Sequence, residues 1–257
     1  MLMYALMAVA TLLIGPKPRM SPDFHWSGKI AAGKAIEIKG INGSIRAETT
    51  SGSEVEVSAV KHARKSDPDD VEIRVVEHED GVTICAVYPS PRASRPNDCV
   101  AGEGGHSETR NNDTEVEFTV RVPARVRFLG RTVNGAVEAR GLDSDLDATT
   151  VNGSITVSTR GQAFATTVNG SINATMGKAD WKGDAEYTTV NGGITLTLPA
   201  DFSAVIDATT VNGDVESDFP LTVTGKISRQ HIRATIGAGG RELKLTTVNG
   251  SIRLRKE

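Results

Sequence analysis

Thr150-Val151-Asn152-Gly153-Ser154-Ile155 is the stretch that decides the fold, because close copies of it recur along the chain and little else repeats. Repetition at a short period is typical of an architecture in which each unit packs on its neighbours. Asn and Gly accept a positive φ at low cost, so we predict a structural turn at every copy. The predicted turn residues are Asn42, Gly43, Asn134, Gly135, Asn152, Gly153, Asn169, Gly170, Asn191, Gly192, Asn212, Gly213, Asn249 and Gly250.

Apolar and polar residues alternate on both sides of each turn, as in strands that have one buried face. The pattern puts Leu146, Ala148 and Thr150 on one face before the turn, and Ile155 and Val157 on that face after it. In a β-meander such strands would pair with each other as Asn-Gly hairpins. In a β-solenoid they would face each other across a thin core and pair with the same strands of the next coil. Near-identical copies favour the solenoid, because each Thr, Asn and Ile then stacks on its own counterpart and forms a ladder.

Composition limits the classes of protein to which the chain can belong. Of its 257 residues 38% are hydrophobic but only 4% are aromatic, and 26 are glycine, which is typical of a turn-rich β protein with a core of small aliphatic side chains. The formal net charge is -3, and a basic face is the first requirement for binding nucleic acid. We therefore predict that nucleic acid is not a partner.

The chain divides into four predicted segments. Residues 1–20 form an apolar leader, which we interpret as a signal peptide, since the run is shorter than a membrane span. Residues 24–53 hold a first β-repeat, residues 54–129 hold longer alternating strands with a loop at 88–114, and residues 130–257 hold the main repeat region. The leader predicts export to the periplasm, the cell envelope or the outside of the cell.

Only two cysteines occur, Cys85 and Cys99. In an exported protein an even pair close in sequence indicates a disulfide. The alternative is two unpaired small hydrophobic side chains, but Cys99 lies in a polar stretch rich in Pro and Gly, which favours the disulfide. Two cysteines without matching histidines do not make a zinc site.

The repeated T-V-N-G-[SD]-[IV] unit resembles a family of bacterial exported proteins described as putative adhesins and as domains of unknown function with β-strand repeats. The resemblance runs from Ile41-Asn42-Gly43-Ser44-Ile45 to Thr247-Val248-Asn249-Gly250-Ser251-Ile252 and includes Phe118–Pro123. It implies a repeat β fold related to pectate-lyase-like solenoids or β-rolls, and it brings no catalytic residues with it. With the strands of residues 54–129, the predicted fold is an all-β solenoid with an inserted antiparallel β segment.

No catalytic, cofactor-binding or metal-binding constellation stands out in the sequence. Asp143, Asp145 and Asp147 have a spacing that could offer oxygens to calcium, but the glycine and distal Glu of a calcium loop are missing, so we interpret them as a solvated turn. We predict no metal and no cofactor.

The sequence therefore predicts a non-enzymatic protein of the cell envelope that acts through surface binding or as a structural component. Its partner is unknown; a surface glycan or a protein would fit, and its oligomeric state is open. Ligand contacts are expected at the loop 88–114 or at a row of outward threonines, one from each repeated Thr-Thr pair. The alternative is a carbohydrate-active, lyase-like enzyme on the same scaffold, which clustered carboxylates with a basic residue on one coil face would support.

Overall fold

The described part of the chain is all-β. The computed structural model describes residues 19–20, 24–177, 181, 183–223, 228 and 230–257, so the predicted leader lies outside it apart from Arg19–Met20. Over these residues the only helical element is a short 3-10 turn at Pro68–Asp70. No helix within the same residues has both the length and the apolar character needed to cross a membrane.

Twenty-two strands make up the described fold. They are β1 (Arg19–Met20), β2 (Phe24–Gly28), β3 (Ala35–Lys39), β4 (Ile45–Thr50), β5 (Val55–Ala63), β6 (Glu72–His78), β7 (Gly81–Val87), β8 (Glu115–Pro123), β9 (Arg127–Arg131), β10 (Val137–Leu142), β11 (Leu146–Thr149), β12 (Ile155–Thr159), β13 (Ala163–Thr166), β14 (Ile172–Met176), β15 (Ala185–Thr188), β16 (Ile194–Leu198), β17 (Ala204–Asn212), β18 (Val215–Ser217), β19 (Thr222–Val223), β20 (His231–Ile236), β21 (Glu242–Asn249) and β22 (Ile252–Lys256).

The strands form two large mixed sheets. Sheet A has the order β1-β5-β8-β4-β10-β12-β14-β16-β22-β18, with β2 also paired to β5, and sheet B has the order β19-β20-β17-β21-β15-β13-β11-β9-β3-β7-β6. Neighbouring strands are parallel through the middle of each sheet, and they are antiparallel towards both ends of sheet B and towards the β1 end of sheet A. This is a β-solenoid-like arrangement.

Each repeat forms one coil of this solenoid. A strand of sheet B leads to the Asn-Gly corner, a strand of sheet A follows, and a second turn, which we call the return corner, leads to the next strand of sheet B. For example, β11 pairs with β9 and β13, whereas β12, across the Asn152 corner, pairs with β10 and β14. The strands on either side of a corner therefore lie in different sheets, and the alternative of Asn-Gly hairpins is wrong for this region.

The core lies between the two sheets. Leu146, Ala148, Thr150, Ile155 and Val157, which the alternation placed on one face, are all buried. Equivalent apolar side chains of the other coils continue the same cluster along the solenoid. The change of parity at each corner is thus what keeps both sheets facing one core.

The spatial order of the coils differs from their order in the sequence. By the corner asparagine, the order is Asn42, Asn134, Asn152, Asn169, Asn191, Asn249 and Asn212. The last strands of the chain, β21 and β22, are inserted between β15–β16 and β17–β18. Strand β20 (His231–Ile236), which lies in the long gap between Asn212 and Asn249, pairs antiparallel with β17.

Strands β7 and β8 contribute a further coil at the Asn42 end. Strand β7 is parallel to β3, and β8 is parallel to β4, so the loop 88–114 occupies the place that an Asn-Gly corner takes in the other coils. Strands β5 and β6 then pair antiparallel with β8 and β7. The long loop is therefore an elaborated corner.

The corner asparagines form an amide ladder. In each step the Nδ2 of one Asn donates to the Oδ1 of the Asn in the adjacent coil, as from Asn152 to Asn134 at 2.8 Å and from Asn169 to Asn152 at 2.8 Å. Six such bonds, of 2.7 to 2.9 Å, join all seven asparagines and point the same way. An Asn side chain has both a donor and an acceptor, so one residue type can continue the ladder indefinitely.

The second Thr of each pair is buried and bonds to the backbone. Thr150 Oγ1 donates to the carbonyl of Gly135 at 2.9 Å, and Thr167 Oγ1 donates to Gly153 at 2.9 Å. The threonine side chains therefore do not hydrogen-bond to one another in a ladder, contrary to the prediction from the repeats. Each one instead donates a hydrogen bond to a corner carbonyl. Leaving the buried hydroxyl and the carbonyl without a partner would cost free energy.

The reason for glycine at the corners differs from the predicted one. Among the corner residues only Gly43 has a positive φ, of 114°, so the prediction of positive φ at every turn is wrong. At Gly170 an added Cβ would lie 2.0 Å from the carbonyl oxygen of Gly153 in the adjacent coil, and the other corner glycines meet a similar contact. Glycine is required because stacked corners approach closely, not because of their dihedral angles.

We expect Gly170→Ala to lower the free energy of unfolding by about 3 kcal/mol or more, because the methyl group would push two coils apart and break bonds on both sides. Gly52→Ala is the matched control, since its Cβ would meet nothing closer than Thr50 Oγ1 at 3.4 Å. Urea unfolding of both variants measures the effect. An unchanged midpoint for Gly170→Ala would contradict the close-packed corner.

Candidate functional site

The outward threonines form one continuous row on sheet B. The first Thr of each pair lies in register with its counterparts on five adjacent strands, in the order Thr149, Thr166, Thr188, Thr246 and Thr209. At the usual separation of about 4.8 Å between strands the row is about 19 Å long. We call this row, together with Phe164, the threonine face.

Phe164 lies two residues before Thr166 on the same side of β13. Its side chain is 40% exposed on the outer side of sheet B. Its in-register neighbours are Asp147 on β11 and Glu186 on β15. The threonine face thus offers an exposed aromatic ring flanked by two carboxylates.

Both carboxylates are held by neighbouring side chains. Asp147 lies 3.2 Å from Arg131 Nη2 and accepts from Thr149 Oγ1 at 3.3 Å. Glu186 lies 2.9 Å from Lys244 Nζ, and this hydrogen bond raises the pKa of Lys244. These bonds fix the carboxylates beside the ring and leave their remaining lone pairs for a ligand.

A row of exposed valines borders the threonine face at the Asn-Gly corner. Val133, Val151, Val168 and Val190 are each 37% exposed, and Val211 is 52% exposed. Each follows the buried Thr of its repeat and precedes the corner Asn. One coil therefore presents Phe164, Thr166 and Val168 at alternate positions along its outer edge.

The loop 88–114 is the other predicted contact region. A disulfide joins its Cys99 to Cys85 on β7, and the Cα atoms of the two cysteines are 5.7 Å apart. Within the loop Asn97 donates to the carbonyls of Tyr88 and Glu108 and accepts from the backbone N–H of Glu108. One asparagine side chain thus ties the two halves of the loop together.

A buried tyrosine joins the loop to the first coil. The Tyr88 hydroxyl donates to the carbonyl of Thr114 at 2.8 Å and lies 3.4 Å from the backbone nitrogen of Asn42. Burial raises the pKa of Tyr88 to about 12. Tyr88 therefore remains a neutral donor at the point where the loop replaces a corner.

Charged side chains fasten the loop to sheet B. Lys39 Nζ donates to the carbonyls of Val100, Gly102 and Gly104, and burial lowers the pKa of Lys39. Glu37, which is 3% exposed, accepts from Gly102 N–H and from Thr83 Oγ1, both at 2.9 Å. Its other oxygen lies 3.2 Å from Arg131 Nε, an ion-pair contact whose angle is too poor for a hydrogen bond.

This cluster lines a cavity of about 320 Å³ between the loop and the sheet, with Asp98, Glu103 and His106 on the loop side. Lys39 and Glu37 already have most of their hydrogen-bonding capacity used by the loop. The cluster is therefore best explained as the fastening of the loop, and the threonine face is the more accessible of the two surfaces.

The other residues singled out from the sequence take varied places. Asp147 belongs to the threonine face, whereas Asp143 and Asp145 lie at a return corner, so the three do not converge. Among the described residues no group of three or more His, Cys, Asp or Glu side chains could hold a metal ion. Sequence reasoning missed Phe164 and the exposed valines, although their alternation with Thr166 was a visible signal.

We expect alkylation of the native, unreduced protein to leave both cysteines unmodified, because Cys85 and Cys99 are bonded to each other. Closing a ring of about 15 residues also stabilises a fold by roughly 3 kcal/mol. Mass spectrometry of the alkylated protein checks the bond, with a reduced and unfolded sample as the control that takes up two labels. A labelled thiol in the unreduced protein would contradict the pairing.

The comparisons with known proteins give a family and distant structural likenesses. No curated protein matches the chain. A putative cell adhesion protein from Clostridium sporogenes is 13% identical, with 92% of this chain and 100% of that chain covered and a TM-score of 0.49. A putative adhesin from Bacteroides fragilis is 10% identical, with 94% of this chain and 99% of that chain covered and a TM-score of 0.38. A putative lipid binding protein from Parabacteroides distasonis is 9% identical, with 95% of this chain and 98% of that chain covered and a TM-score of 0.24.

The sequence model of one family, described as Toastrack DUF4097, matches residues 31–255. The match includes all seven Asn-Gly corners, the disulfide and the threonine face. The chain therefore belongs to the Toastrack DUF4097 family.

Proposed function

We propose that this chain is an exported, non-enzymatic binding protein of the cell envelope that acts as an adhesin, with a glycan as its ligand along the threonine face. The solenoid would be the rigid support of that face. Export, the division into segments at residues 54 and 130, and the relation to pectate-lyase-like solenoids are part of this proposal.

The observation that carries the proposal is that some recurring residues of the repeat have no role in stacking or in the core. The buried Thr, the Asn, the Gly and the Ile of each unit serve stacking or the core. The outward Thr and the exposed Val have no such task, yet they occur together in four copies, at Thr149 and Val151, Thr166 and Val168, Thr188 and Val190, and Thr209 and Val211. A row of exposed apolar side chains on a protein surface is typical of an interaction site.

The chemistry of the face favours a glycan over a protein. Threonine hydroxyls both donate and accept, and the carboxylates of Asp147 and Glu186 accept, which matches the hydroxyl groups of a sugar. The exposed ring of Phe164 offers a flat apolar surface to the C–H groups of a sugar ring. A protein ligand would require a larger apolar centre than one phenylalanine beside a row of valines.

We expect Phe164→Ala to weaken glycan binding about tenfold or more, because burying a phenylalanine side chain contributes roughly 1.5–3 kcal/mol. Thr166→Val should also weaken it, and Thr175→Val, which alters an exposed Thr of the same coil on sheet A, should leave it unchanged. A glycan and protein array with wild type identifies ligands, and calorimetry on the best glycan compares the variants. Equal affinity for Phe164→Ala and wild type would contradict the proposed face.

A second function, that of a polysaccharide lyase, is favoured by one observation. Glu37, Asp147, Arg131 and Lys39 cluster on one side of sheet B, and such a reaction needs a base beside groups that neutralise an acidic sugar. Against it, Glu37 and Lys39 are bonded to the backbone of the loop.

We expect no unsaturated product when the protein is incubated with polygalacturonate, because Glu37 and Lys39 are not free to exchange protons with a substrate. Ultraviolet absorbance of the product measures turnover, with a known lyase as the positive control. Product formation that disappears in Arg131→Gln would establish the enzyme and overturn the non-enzymatic proposal.

A further inference from the structure

Three successive return corners stack on one another at the edge of the solenoid opposite the Asn-Gly corners. The corners follow β8, β10 and β12, and backbone bonds join them, from Arg125 N–H to the carbonyl of Asp143 and from Arg160 N–H to that of Leu142, each at 3.0 Å. The side chains of these corners line an open groove of about 700 Å³.

The groove contains an unusual set of charges. Arg125, Arg127 and Arg160 come from the two outer corners, and Asp143 and Asp145 from the corner between them. In the described part of the structure none of the three guanidinium groups makes an ion pair or a side-chain hydrogen bond. Arginines on the open sheet faces differ in this respect, since Arg121 pairs with Glu48 and Glu56, and Arg140 pairs with Glu138.

Two further features mark this groove. Arg125 has a φ of 67°, and a bulky residue in that conformation is strained by about 1 kcal/mol or more, which is common at functional sites. Ser144, in the wall of the groove, is 8% exposed, and its hydroxyl has no partner. A buried hydroxyl without a partner is rare.

We propose that this groove binds the acid group of an acidic polysaccharide. Unpaired guanidinium groups bind carboxylates in a planar, bidentate manner. The two aspartates between them would repel a densely charged polyphosphate but would accept hydrogen bonds from sugar hydroxyls. A chain that alternates acid groups with hydroxyl-bearing stretches therefore fits the alternation of charge, whereas nucleic acid does not.

The position of the groove connects it with the threonine face. Gln162, which donates its backbone N–H to Asp145 at 2.8 Å, is two residues before Phe164 on the same chain. Arg127 similarly lies at the start of β9, on the sheet that carries the face. The groove thus deepens the proposed function and rests on a glycan being the ligand, since it assigns acidic sugars as the class that the surface takes.

The test measures binding of polygalacturonate oligomers and of neutral dextran oligomers of equal length by calorimetry. We expect wild type to bind only the acidic oligomer, and the double variant Arg127→Gln/Arg160→Gln to lose about tenfold or more of that affinity. Arg121→Gln/Arg140→Gln removes the same charge from the outer face of sheet A and should change the affinity little. Added salt should weaken the wild-type binding.

Each outcome separates the two proposals. Circular dichroism and thermal unfolding establish that the variants are folded. Binding that Phe164→Ala weakens but the arginine variants do not, or equal binding of dextran, would overturn the groove and leave the threonine face. Binding that depends on the arginines but not on Phe164 would support the groove and contradict the face. No binding of polygalacturonate would overturn the inference.

Discussion

The whole structure depends on how closely successive Asn-Gly corners can stack. The carbonyl oxygen of each corner glycine lies where the next corner would carry a Cβ, and the same carbonyl accepts the hydroxyl of a buried threonine. The asparagine amides continue this contact from coil to coil at 2.7 to 2.9 Å. Because every one of these bonds joins different coils, no repeat can form them alone, and stability comes from nearest neighbours. The sheets follow from this constraint, since they can pair only at the spacing that the corners set.

Much of this could be predicted from the sequence, and the limits have physical causes. The parity of Leu146, Thr150 and Ile155 across the turn placed the core correctly, because alternation reports burial directly. The order of the coils could not be predicted. Nearly identical corners stack equally well on one another, so local sequence does not decide that Asn249 lies between Asn191 and Asn212. The antiparallel strand β20 occupies one edge of β17, so β21 can pair only with the other edge of β17, the one that faces the preceding coils.

The candidate site was predictable to a similar degree. Outward threonines follow from the parity of the Thr-Thr pair, and they lie in one row as expected. Valine is normally a core residue, so its exposure at the corner was not evident until the geometry of the turn was known. The charge cluster was hidden for another reason. Glu37 and Arg131 are 94 positions apart in the sequence and become neighbours only because the first coil stacks on the second.

Both ends of the threonine row are bounded by basic side chains. Arg131 and then Lys39 continue the row beyond Thr149, and His231 lies opposite Thr209 on β20. The uncharged stretch is therefore limited to five strands, because β9 and β3 carry Arg131 and Lys39 at one end and β20 pairs with β17 at the other. The threonine row therefore has a fixed length, unlike a row on an open solenoid to which coils could be added. Arg131 and Lys39 at one limit, together with the arginines of the return corners, would attract acidic groups along a ligand that crosses the face, although the chain as a whole is slightly acidic.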